Sequence, residues 1–71
     1  MENKYILSLS LQFGLSDVQT NKLIDILYQA GLGHNFSTSP EKVASFVCEN
    51  NLIDLPMDDI LEELKLRKLI Y

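Results

Sequence analysis

Seventy-one residues, 46% of them hydrophobic and 23% charged, make one small globular domain, near the lower size limit at which a single core offsets the entropy of folding. A formal net charge of -4 weighs against a protein that lives by neutralising phosphates, and no run approaches the ~18 apolar residues of a membrane-spanning helix. Cys48 is the single cysteine, which excludes an intrachain disulfide and favours a reducing cytoplasm.

Tyr5 to Leu15 carries apolar side chains at every odd position, with Ser8, Ser10, Gln12 and Gly14 between them. This two-residue period predicts a half-buried strand. A secretory leader fits poorly, because Glu2 precedes the run and the serines interrupt it. Ser16-Asp17-Val18-Gln19 follows with the pattern of a reciprocal capping box, and Asp17 suits the positive end of a helix dipole. A helix is predicted from 17 to 30, burying Leu23, Ile26, Leu27 and Ala30, with Gly31 and Gly33 supplying left-handed residues at its end.

Residues 32 to 38 read as a loop with one apolar anchor, Phe36. Ser39-Pro40-Glu41 then gives an N-cap, a proline in the first turn and an acid for the dipole, so a second helix is predicted from 40 to 50. Leu52 and Ile53 belong to a short connection tucked onto the core. Asp54-Leu55-Pro56 opens a third helix with Met57, Ile60, Leu61 and Leu64 as its stripe, predicted to reach about residue 68. The expected fold is therefore mainly α with one strand (α+β), an N-terminal strand followed by three amphipathic helices. An all-α four-helix bundle is the alternative.

The candidate chemistry is thin. His34 and Cys48 could form a thiol-imidazole pair only if folding brought them into hydrogen-bonding reach beside a pocket. One His and one Cys fall short of a metal ligand set. Asp54, Asp58, Asp59, Glu62 and Glu63 lack the spacing of a calcium loop. Lys65, Arg67 and Lys68 follow them, so acids at the start and bases at the end describe a solvated helix face matched to its dipole, with Glu63 and Arg67 as an i,i+4 pair. Ser37, Thr38 and Ser39 at a helix start could hold a phosphate, although they would cap the helix in any case.

A lone strand needs a mate for its backbone donors and acceptors. The leading expectation is a non-enzymatic interaction or regulatory protein without cofactor, metal or small-molecule substrate. It would bury Leu7, Leu9 and Leu11 against a protein partner or a second copy as a homodimer. The order of a polar-faced strand and two helices over residues 5 to 50 resembles that of ribbon-helix-helix repressors. That resemblance implies a dimeric DNA-binding regulator with Ser8, Ser10 and Gln12 facing bases and the Ser37 to Ser39 backbone meeting phosphate. It stays the alternative, because no Arg or Lys lies on that face.

Overall fold

A computed structural model describes residues 4–71. Among the described residues four helices follow one another, α1 (Lys4–Phe13), α2 (Asp17–Gly33), α3 (Pro40–Glu49) and α4 (Met57–Leu66). The starts of α2 and α3 follow from local chemistry. The Gln19 N–H donates to Ser16 Oγ (3.2 Å), and the Ser16 N–H donates to Gln19 Oε1 (3.0 Å), which completes the capping box. At α3, Ser39 Oγ accepts from the Lys42 N–H (3.3 Å), and Pro40 occupies a first-turn position where its missing donor is not needed.

The expected N-terminal strand is not formed: residues 4–13 are helix, and the all-α alternative describes the chain. The physical reason lies in the geometry of the odd positions. At about 100° per residue, residues two apart land on nearly opposite sides of a helix, so 5, 9 and 13 form one stripe and 7 and 11 another. A helix that is apolar on two faces thus imitates a strand. Ile6, an apolar residue on the supposedly polar side, separates the two readings. It is almost fully buried, and together with Leu9 it carries α1 onto the core. A helix also pairs its own backbone, so the need for a second chain to complete a ladder disappears.

The helix ends share one device. Gly14 (φ 63°), Asn51 (φ 55°) and Lys68 (φ 60°) are left-handed, and each is followed by a residue whose N–H reaches back over the final turn. Those bonds run from Leu15 to the Ser10 carbonyl (2.9 Å), from Leu52 to that of Val47 (3.0 Å) and from Leu69 to that of Leu64 (2.9 Å). Two expected boundaries move as a result. The last helix stops at Leu66 instead of about 68, because Lys68 takes the left-handed turn. Conversely, α2 continues through Gly31 to Gly33, and neither glycine is left-handed; extended His34 closes that helix by donating its N–H to the Ala30 carbonyl (3.0 Å).

One core joins these elements. It is built from Ile6 and Leu9 of α1, Leu23, Ile26 and Ala30 of α2, Val43, Ala44, Val47 and Cys48 of α3, and Ile60 and Leu64 of α4, closed by Ile53 and Ile70. No charged or polar side chain is buried among the described residues. Arg67 pairs with Glu63 (Nε to Oε1, 3.2 Å), as the i,i+4 spacing predicts, and its guanidinium lies 5.9 Å from the Phe46 ring centroid. The Cα radius of gyration, 10.9 Å, matches the roughly 11 Å of a compact chain of this length, so the fold closes on itself. No helix among the described residues is long and apolar enough to cross a membrane.

Candidate protein-binding surface

Beyond its buried stripe, α2 carries a second row of apolar residues, Ile24, Tyr28 and Leu32 at i, i+4 and i+8. These stand 39%, 64% and 71% exposed. Tyr5 of α1 borders this row, as do Phe36 and Pro40, before and at the start of α3. Together with half-buried Leu27 and with Gly31 they line an open groove of about 330 Å³. Every one of the eight residues is uncharged, and the two tyrosine hydroxyls are the only polar side-chain atoms.

Two features shape the groove. Gly31 leaves room for Phe36, since a methyl group in its place would come within 3.3 Å of the ring edge. Phe36 itself is held by the C-terminal tail, for it pairs antiparallel with Ile70. The Ser37 N–H donates to the Leu69 carbonyl, and the Tyr71 N–H donates to that of Asn35 (both 2.9 Å). The Ser37 hydroxyl also donates to the Lys68 carbonyl. The C-terminal tail thus pairs with the 35–37 loop, and buried Ile70 anchors it.

The residues singled out from the sequence scatter. Leu9 is 8% exposed and belongs to the core, whereas Leu7 and Leu11 are 63% and 85% exposed on the outer side of α1. Ser8 and Gln12 are exposed, but Ser10 turns to α2, where its hydroxyl meets that of Thr20 at 2.7 Å. Ser10 therefore lies off the face that Ser8 and Gln12 share, and the ribbon that would carry all three into a DNA groove is not formed. Of the serine cluster, Ser37 binds the tail and Ser39 caps α3.

Cys48 is buried in α3, and burial, followed by the nearby charge of Glu49, pushes its thiol pKa up, the opposite of an activated nucleophile. His34 borders a surface depression with Asp58, Leu61, Glu62 and Lys65. Among the described residues no group of three His, Cys, Asp or Glu is placed to hold a metal ion. Asp54, Asp58, Asp59 and Glu62 are exposed, and Asp54 Oδ1 accepts from Gln19 Nε2 (3.2 Å).

The groove is not evident from the core stripe of α2, which runs through Leu23, Ile26 and Ala30. The repeat Ile24, Tyr28, Leu32 was the available signal, an apolar row at helical spacing on the side away from Leu23, Ile26 and Ala30. Neither protein-family models, nor curated proteins, nor solved structures give a match to this chain.

Proposed function

We propose that this chain is a non-enzymatic, cytoplasmic interaction domain, and that the groove between α1, α2 and the 36–40 segment receives an apolar face of a helix from a protein partner. The observation that carries this reading is the uncharged groove itself. Its floor and rim leave Tyr28 and Leu32 mostly open to water in a chain that closes its core without them. Ile24, Tyr28 and Leu32 rise one turn apart over about 12 Å, a spacing that accepts side chains repeating at i and i+4 on an incoming helix. With two hydroxyls and no acid, base or thiol in its lining, the groove is suited to binding rather than to bond chemistry. A lone, buried thiol accords with a reducing cytoplasm.

The test uses 8-anilino-1-naphthalenesulfonate as an apolar probe of the folded protein. Its fluorescence should rise with the native protein and fall when a soluble helical peptide with leucines at i, i+4 and i+8 is added in excess. Tyr28→Lys should abolish the rise while leaving the thermal midpoint within a few degrees. Native protein that leaves the dye dark, or dye that the peptide fails to displace, overturns the reading.

A further inference from the structure

The same chain also carries a ridge that matches the groove. Leu7 and Leu11 stand one turn apart on the outer side of α1, about 6 Å along the axis, and Lys4 continues that line by the i, i+3, i+7 spacing. Two leucine side chains fill on the order of 200 Å³, within the groove's volume of about 330 Å³. Charge distinguishes the two surfaces. Among the described residues, Lys4 is an exposed cation beside the ridge. Asp25, one turn before Tyr28, and Glu41, next to Pro40, are exposed acids beside the groove. On a chain of net charge -4, a contact of groove with groove would set acid against acid, whereas ridge against groove sets a cation against acids.

Resting on the groove reading above, we infer that the occupant is the Leu7–Leu11 ridge of a second copy of this chain. Tyr5, which walls the groove, lies about 160° around α1 from Leu7, so ridge and groove open in different directions. The contact is therefore heterologous, and each copy offers a free ridge and a free groove to the next. Assembly proceeds head to tail and extends beyond a dimer. It is weak. Leu7, Leu11, Ile24, Tyr28 and Leu32 leave open roughly 600 Å² in total, about half of the ~1,200 Å² at which stable interfaces begin.

Sedimentation velocity from micromolar to millimolar protein provides the test. The average mass of the wild type should climb past that of a dimer. Leu11→Lys, which spoils the ridge, and Tyr28→Lys, which spoils the groove, should each remain monomeric. An equimolar mixture of the two variants should form dimers and stop there, because that pair retains one intact ridge and one intact groove. Both substitutions fall on exposed positions, and circular dichroism checks that the helices persist. A wild type that stays monomeric at millimolar concentration overturns the inference, as does one that halts at a dimer, and so does a mixture of the variants that stays monomeric. If the wild type stays monomeric while Leu11→Lys still binds the dye, head-to-tail assembly falls and the groove reading stands. If the wild type binds no dye, the groove reading falls as well.

Discussion

α1 and α3 are both ten residues long, pack on each other and on α2, and end in left-handed residues, yet only one of them declares itself in the sequence. In α3 the apolar positions Val43, Ala44, Val47 and Cys48 face the core, and Glu41, Lys42 and Glu49 occupy the outside. In α1 the core takes Ile6 and Leu9, and the outer side holds Leu7 and Leu11. The 3.6-residue period emerges only against a polar background. Where both faces are apolar it vanishes into alternation, and the surplus leucines that hide the helix, Leu7 and Leu11, are the ones left exposed. The strand-like pattern of α1 and its exposed apolar side are thus two aspects of one composition.

The two sides of α1 differ most at the odd leucines. Leu9→Ala should lower the unfolding free energy by about 3 kcal/mol and Leu7→Ala by less than about 0.5, measured by urea denaturation. Equal losses at both sites would restore a shared buried face and remove α1 as described.

A smaller effect is expected at the helix ends. Gly14→Ala places a Cβ in a left-handed residue and should cost about 1 kcal/mol, although open space surrounds the added methyl. Asn51→Gly at the end of α3 should be neutral or stabilise by a few tenths of a kcal/mol, since asparagine already tolerates that conformation. In a strand, Gly14 would be an ordinary polar-side position and alanine would be harmless there. A Gly14→Ala protein with an unchanged midpoint would therefore count against the helix ending.

The smallest effect belongs to α3 alone. Burial, and then Glu49, raise the Cys48 pKa in the folded state, so the native protein holds the thiol proton more tightly than the unfolded chain does. The associated stability is fully present below the ordinary thiol range and is lost as pH rises through it toward the raised value. Urea midpoints compared at neutral pH and above about pH 8.5 should fall more for wild type than for Cys48→Ala, and parallel falls would argue that the thiol is not desolvated.

Much of this architecture was legible because it is local. The Ser16–Gln19 box, the Ser39-Pro40 start, the Glu63–Arg67 pair and the stripe of α3 each depend on residues at most a few positions apart, whose bonds form within one turn. Of the candidate contact surface, Leu7 and Leu11 stand out in the sequence only through an alternation that suits a strand, and Ile24, Tyr28 and Leu32 form a row visible only once α2 is wound as a helix to Gly33.

Tertiary structure alone decided the rest. The helical state of residues 4–13 depends on Ile6 and Leu9 meeting a core supplied by distant helices, since their local pattern suits two conformations. The extension of α2 to Gly33, the turn at Lys68 and the groove wall at Phe36 go with a C-terminal tail that returns to residues 35–37, some thirty positions away in the chain. Bonds between neighbours are written in the order of the residues. Those between remote segments exist only once packing has paired surfaces that carry no local sign of each other.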